Sequence, residues 1–450
     1  MQKYRSRAKK GLATPRTLSA IRYEPVMGLE VHAQVQTKSK MFCGCPSDVF
    51  GKPPNSFTCP VCLGLPGALP VANRVAIEKT VTLAQALGCK IAEFSQFERK
   101  NYFYPDLPKG FQISQYAFPV GEGGIFERVA IRRVHLEEDT ARLIHEGGES
   151  LADFNRSGIP LVEVVTEPEF SDPAVVKGFL KELRTLLMHL KISDADMEKG
   201  SLRLEANISL RRYGEKNLPD YKVELKNINS FAFLEKALRA EIKRQQEILE
   251  RGKSVAQETR GYNQKRGVTF LQRKKEEAFD YRYFPEPDLP PLTKSILIGE
   301  EVIVTLEETR RNYLSLGVPS QYVELLVRDR SLADLFEELR RKIPPVETAN
   351  ILVNQRFGDP LKLGKEKILS FYREAQAKEL LSGEKLEHYT EKVLLDNPAA
   401  VSDYLEGRDN ALQFLLGQLM RETGGKIAPQ EGREVLKDAI KRSLVSASQK

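Results

Sequence analysis

The stretch "PVMGLEVHAQVQ", Pro25 to Gln36, alternates apolar and polar residues with a period of two. That period suits a strand with one buried face and excludes an amphipathic helix. Leu29, Val31, Ala33 and Val35 then face a core, while Glu30, His32, Gln34 and Gln36 line the other side. "GSLRLEANISLRR" repeats the device: Leu202, Leu204, Ala206, Ile208 and Leu210 point inward, and Arg203, Glu205, Asn207, Ser209 and Arg211 outward. In "YKVELKNINS", Val223 and Leu225 are inward and Lys222, Glu224 and Lys226 outward. One such row alone is ordinary wet surface. Several, if they are neighbours in one sheet, make a polar floor with carboxylates suited to Mg²⁺ and cations suited to phosphates.

Two further constellations carry chemistry. "RRVHLEEDTARLIH" sets Glu137, Glu138 and Asp139 side by side, with His135 on the face of Glu137 by alternation. Adjacent carboxylates repel unless they are solvated or neutralised by a cation. Cys43 and Cys45, then Cys59 and Cys62 in "CPVC", give four thiols within twenty residues of an otherwise cysteine-poor chain. Tetrahedral zinc needs four such ligands, so the spacing predicts a structural Zn²⁺ site; Cys89 stands apart and reads as core. "KNYFYPDLPKGFQISQY" places aromatics beside Lys100 and Lys109, as a base-stacking loop or as aromatic-proline packing. A P-loop, a kinase glycine-rich loop and a serine nucleophile elbow are all absent from the sequence.

The chain has 450 residues, room for two to four domains, and a formal charge of +7. Lys3, Arg5, Arg7, Lys9, Lys10, Arg16 and Arg22 carry seven positive charges with no acid among them, so everything after Tyr23 is formally neutral. Global charge therefore says nothing about nucleic acid. The first 23 residues read as a basic extension without a secretory core. No run of about 18 apolar residues is present, so no membrane span is expected. Short alternating runs dominate as far as about Asp280, with helices inserted. One is predicted after Asp172 and Pro173, with Val176, Phe179, Leu180, Leu183, Leu187 and Leu190 on one stripe, and another from Ser230 to Arg251. "YFPEPDLPPL", from Tyr283, reads as a boundary or closing loop. Beyond about Leu306 helical stripes take over, with a break near Leu381 to Leu386.

The motifs "GLEVH", "CPVCLGLPGALPV", "KNYFYPDLPKGFQISQY", "HLEEDTARLIH", "VELKNINSF" and "EEAFDYRYFPEPDLPPL", in this order, resemble the B subunits of the aspartyl/glutamyl-tRNA amidotransferase family. The resemblance resumes in "NPAAVSDYLEGRDNALQFLLGQLMRETGGKIAPQ". It implies an α+β chain: an antiparallel-sheet cradle catalytic domain with a zinc-binding lobe over 24–306, an all-helical domain, shortened here, over 307–380, and a small helical tail domain contacting tRNA over 381–450. It also implies ATP-dependent phosphorylation of the side-chain carboxylate of Glu or Asp misacylated on tRNA, and then attack of ammonia. The ammonia would come from a partner amidase, or A, subunit, and a small C subunit would join the two. By the same resemblance Glu30 and His32 hold Mg²⁺, with Glu137, Glu138, Glu198 and Glu224 supplying further carboxylates. Lys100 and Lys226 would offset the charge on ATP and on the group in transfer, with Lys100 also catalytic. A cytoplasmic location is expected, with an organellar one as the alternative because the acid-free basic extension also resembles a transit peptide. Two other readings fit fewer residues: a zinc-knuckle RNA-binding scaffold without chemistry, which leaves the acidic rows unexplained, and an isolated ligase using free ammonia.

Overall fold

The structure is a computed structural model that describes residues 23–274, 281–297, 305–377, 384–408, 410–424, 427 and 429–447. The basic extension, Lys426 and part of the break before Leu386 lie outside the described residues. The chain divides into two compact units, Met1–Ser315 with Val327–Arg330, and Leu316–Leu326 with Ser331–Lys450.

The first unit holds the strands, numbered in chain order. They are β1 (Tyr23–Gln34), β2 (Lys90–Ile91), β3 (Phe94–Ser95), β4 (Glu98–Asn101), β5 (Phe111–Ser114), β6 (Gly121–Phe126), β7 (Val129–Glu138) and β8 (Arg142–Glu146). There follow β9 (Glu149–Asp153), β10 (Pro160–Thr166), β11 (Leu202–Arg212), β12 (Val223–Leu225), β13 (Glu258–Asn263), β14 (Val268–Lys274), β15 (Phe284–Pro285) and β16 (Leu292–Thr293). Nine of them form one sheet in the order β14-β13-β12-β11-β1-β10-β7-β6-β2. The period-two reading of the first strand is met: Leu29, Val31, Ala33 and Val35 are buried, and β1 sits between β10 and β11.

One pair departs from the antiparallel expectation, because β12 and β13 run parallel. Parallel neighbours cannot be joined by a hairpin. Here the crossover is the helix Phe231–Glu250, which packs on β11 and β14. The two other long helices of this unit are Arg74–Ala86, on β6 and β7, and Pro173–His189, on the crossover helix. Asp172 caps the latter by accepting from the Ala174 N–H at 2.9 Å, with Pro173 in its first turn. Val176, Phe179, Leu180, Leu183 and Leu187 on its predicted stripe are buried.

The four-proline segment is a strap rather than a domain boundary. Its ends add short edge pairings, β15 on β4 and β16 on β3, where proline costs no ladder bond. Between them the buried Glu286 accepts two hydrogen bonds from Arg99, at 2.8 and 2.7 Å. β15-β4-β5 is thereby a separate small sheet, and β5 lies against β7.

The helix Leu306–Ser315, expected at the head of the helical domain, belongs to the first unit. In the second unit Glu384–Asp396, Pro398–Leu405, Asn410–Glu422 and Pro429–Ala447 are helices. They share a core built from Leu386, Val393, Leu415, Leu419, Leu436 and Ile440.

Candidate functional site

Residues directly opposed in a sheet point to the same face, so the register of five strands shows what the polar floor contains. His32 of β1 lies opposite Arg203 of β11 and Glu163 of β10, and Glu163 lies opposite His135 of β7. The next row is Glu205, Glu30, Val165 and Arg133. Beyond it, Glu224 of β12 faces Asn207, which faces Gly28. The separate polar rows of the sequence are thus one continuous surface.

At its centre three groups converge. The His32 Nε2 is 3.4 Å from Glu137 Oε1 and 3.5 Å from Glu163 Oε2, while His135 Nε2 meets the same Glu163 oxygen at 3.0 Å. One donor atom from each of His32, Glu137 and Glu163 lies within 4.8 Å of the other two. On one side of this cluster Asn207 Nδ2 donates to Glu30 Oε1 at 2.9 Å. Further along, the Lys226 ammonium bridges Glu205 at 2.9 Å and Glu224 at 3.0 Å. A cavity of about 320 Å³ opens beside Glu30, lined among others by Gly28, Arg132, Asn207, Tyr221 and Lys222.

The charges explain why these groups stay together. Burial pulls the His32 pKa down, but Glu163, Glu137 and Glu205 outweigh it and raise it from 6.5 to about 9. Burial raises Glu163, yet the two imidazoles hold it well below its usual range. Glu205 is raised, first by burial and then by Glu224 and Glu30, against the pull of Lys226 and His32. The cluster therefore attracts positive charge, which is the condition for binding a hard cation through carboxylate oxygens and one imidazole. Two carboxylates and a histidine fit Mg²⁺ or Mn²⁺ with the remaining positions left to water and substrate.

The small sheet β15-β4-β5 lies against β7 beside this floor. Lys100 of β4 sits with its Nζ 4.9 Å from the centre of the Tyr281 ring and 5.8 Å from that of Tyr102. Burial would lower its pKa, but Glu137 with help from Glu163 raises it, so it stays an ammonium. Ser114 Oγ of β5 donates to Glu137 Oε2 at 3.4 Å. Tyr116 stacks on Tyr283 at 4.7 Å between ring centres, and the Arg133 guanidinium covers Tyr116 at 5.2 Å. The aromatic run after Lys100 thus partners cations beside the cluster as well as packing.

Three expected ligands are not brought to the His32–Glu137–Glu163 cluster, and of these Glu224 lies further along the floor on Lys226. Glu138 follows Glu137 on a strand, so alternation turns it to the opposite face; it pairs with Lys109 and accepts from the Ile113 N–H at 3.0 Å. Glu198 is exposed on the turn before β11, where its N–H donates to Asp196. Conversely, Glu163 and Glu205 belong to the floor although the family resemblance names neither, and His135 meets Glu163 rather than Glu137. Glu163 sits in "PLVEVVT", whose seven residues are all buried. A lone acid in such a strand must have a partner, and that is the signal the sequence offers for it. Asp139, third of the acids, is held low: burial opposes, but Arg203 and Arg156 prevail.

The four cysteines come together as the spacing predicts. All four Sγ atoms lie within 4.8 Å of one another, and all are free thiols. Cys59 and Cys62 are 3.8 Å apart at sulfur. That is far beyond a disulfide and matches the edge of a tetrahedron with Zn–S bonds of about 2.3 Å. Cys62 Sγ also accepts from the Cys59 N–H at 3.2 Å and from the fully buried Lys40 ammonium at 3.5 Å. A cation beside the thiolates offsets the net negative charge that four of them would leave around a divalent metal. Cys89 is buried beyond the end of its helix, as expected.

Residues 25–299 match the family described as the GatB/GatE catalytic domain, and residues 334–440 match the GatB domain. The chain is 39% identical over 477 residues to the B subunit of the aspartyl/glutamyl-tRNA(Asn/Gln) amidotransferase of Caldanaerobacter subterraneus subsp. tengcongensis, covering 94% of this chain and 100% of that protein. It is 40% identical over 480 residues to the protein of the same name from Thermotoga maritima, covering 93% and 99%. For the one from Thermomicrobium roseum the figures are 42% over 482 residues, 94% and 99%. Among the described residues no helix is long and apolar enough to cross a membrane.

Proposed function

Since the chain belongs to the GatB family, the B subunits of aspartyl/glutamyl-tRNA amidotransferases, we propose that it carries the ATP-dependent amidation of Glu on tRNA(Gln), of Asp on tRNA(Asn), or of both. A carboxylate is a poor acyl donor because oxide leaves badly. Its oxygen first attacks the γ-phosphorus of ATP and displaces ADP, giving an acyl phosphate. Ammonia then adds to the carbonyl carbon, the phosphate departs with the C–O bonding pair, and loss of one proton from nitrogen leaves the amide.

The observation that carries this reading is the convergence of His32, Glu137 and Glu163, whose two carboxylates act on the Lys100 ammonium. Those three residues, with Glu30 next to them, would hold Mg²⁺, which when bound supplies charge neutralisation for phosphoryl transfer. Lys100, an ammonium held by the charge of Glu137 and Glu163, would offset charge on the transferring oxygens. His135 fixes Glu163 by a 3.0 Å contact, and Ser114 holds Glu137. Lys226, bound to Glu205 and Glu224, offsets part of the negative charge at the far end of the floor and belongs with the nucleotide side of the site. The cysteine cluster supplies a structural zinc rather than chemistry. Ammonia is delivered by the partner amidase subunit, a small C subunit completes the assembly, and the tail over 381–450 contributes tRNA contact.

The test is ADP formation from misacylated tRNA, with and without the amidase partner. Amidation driven by glutamine only in the complex supports the reading. No ADP under any condition leaves an RNA-binding scaffold, and full activity from the single chain with ammonium salts leaves a free-ammonia ligase.

A further inference from the structure

Most of the cations on or beside the polar floor have a carboxylate partner. Arg203 pairs with Asp139, Arg211 with Glu24, Lys226 with Glu205 and Glu224, and Arg132 with Glu167. Arg133 differs. Among the described residues it makes no ion pair, and its Nε is buried without a hydrogen-bond partner. Its position is fixed all the same. It shares the floor-facing side of β7 with His135, two residues on, and is separated from Glu30 only by Val165. The Tyr116 ring holds the guanidinium at 5.2 Å and is itself stacked on Tyr283, at 4.7 Å and 16° between planes. The pairing register slips between Val165 and Thr166, opposite this point of β7, so the backbone is bulged where the arginine projects.

A buried guanidinium Nε without a partner is costly, and on a half-buried side chain such a donor is open to an acceptor from outside. Arginine presents a planar fork that binds carboxylate or phosphate oxygens in pairs, which an ammonium cannot do. In the register Val165 alone stands between Arg133 and Glu30, and the same face of β7 carries His135, which meets Glu163.

We propose that Arg133 binds an oxyanion of the reacting pair: the side-chain carboxylate that is to be activated, or the phosphoryl group in transfer. The inference rests on the amidation reading above, and it names a residue that the metal-binding set does not include.

The experiment uses the reconstituted complex with its partner subunits and compares Arg133→Ala, Arg133→Lys and His32→Ala. The KM for ATP and the KM for misacylated tRNA are measured separately, together with kcat. Arg133→Ala should lose at least tenfold in kcat/KM, Arg133→Lys should recover little of it, and added guanidinium chloride at millimolar concentration should restore part of the Arg133→Ala activity alone. A rise confined to the KM for misacylated tRNA assigns the carboxylate. A rise in the KM for ATP, or a fall in kcat, assigns the phosphoryl group. Unchanged constants in folded Arg133→Ala, or wild-type constants in Arg133→Lys should the alanine variant not fold, overturn the inference. If His32→Ala still stops ADP formation in that event, the amidation reading survives and the inference fails alone. Normal ADP formation by both variants would remove the site itself.

Discussion

Replacing Glu163 by glutamine removes a charge from the cluster and leaves its shape intact. The glutamine amide occupies the same volume, and its oxygen can still accept from His135 Nε2, which now lies 3.0 Å away. Because a buried ion pair to two imidazoles is broken while the hydrogen bond from His135 survives, stability should fall by roughly 3 kcal/mol in metal-free protein. The negative charge is lost altogether. His32, 3.5 Å distant, loses the largest contribution to its raised pKa, and the cluster keeps Glu137 as its one contacting carboxylate. Taking one carboxylate from a site that must stabilise phosphoryl transfer should cost roughly 3 kcal/mol, about a hundredfold in rate. The assay is ADP release from misacylated tRNA in the assembled complex over a range of Mg²⁺ concentrations, alongside urea denaturation. A variant less stable than the wild type, with unaltered rate at low Mg²⁺, would show that Glu163 only satisfies buried histidines.

Three other outcomes are expected. Protein purified without chelator should contain one zinc per chain, and removing it should lower the melting temperature and make Cys43, Cys45, Cys59 and Cys62 reactive to a thiol reagent; stability indifferent to chelator with no bound zinc would refute this. Because the folded pKa of His32 is raised from 6.5 to about 9, its contribution to stability in metal-free protein is complete below pH 6.5 and is lost as pH rises through about 9. The fall in urea midpoint across that window should be smaller in His32→Gln, and equal falls would refute the assignment. Deleting residues 381–450 should raise the KM for tRNA in a salt-dependent way with kcat nearly intact, and an unchanged KM would remove the tail from tRNA binding.

What the sequence displays and what it conceals follows from the physics of strands. β1 and β11 alternate buried with half-buried residues along much of their length, so Glu30, His32 and Glu205 stand out from their apolar neighbours. β12 is short and buried, yet its Glu224 sits between two apolar residues and is as easily seen. β10 is buried on both faces, and its Glu163 is hidden inside an apolar run. Which strands lie side by side is not written in any local pattern. Hence the cysteine quartet, a local matter of spacing, is readable, whereas the meeting of His32 with Glu163, more than a hundred positions apart, is not. The misplacement of Glu138 has a local remedy, since its neighbour Glu137 already faces the floor. The parallel β12–β13 pair is also beyond local reach, because it depends on where the helix Phe231–Glu250 returns the chain.

The central place of β1 has a consequence for synthesis. It is the first of the described strands, yet it pairs on one side with β10, where Gln34 meets Leu161, and on the other with β11, where Tyr23 meets Arg212. At translation rates of roughly 5–20 residues per second, the second partner follows on the order of 10–40 s after the first residues of β1. During that interval a strand with Leu29, Val31 and Ala33 along one side has two open edges. Such an edge is a template for pairing with another nascent chain. Sheltering the nascent chain until β11 has emerged should therefore raise the yield of this protein in cells, and equal soluble yield with and without a ribosome-associated holdase would refute this.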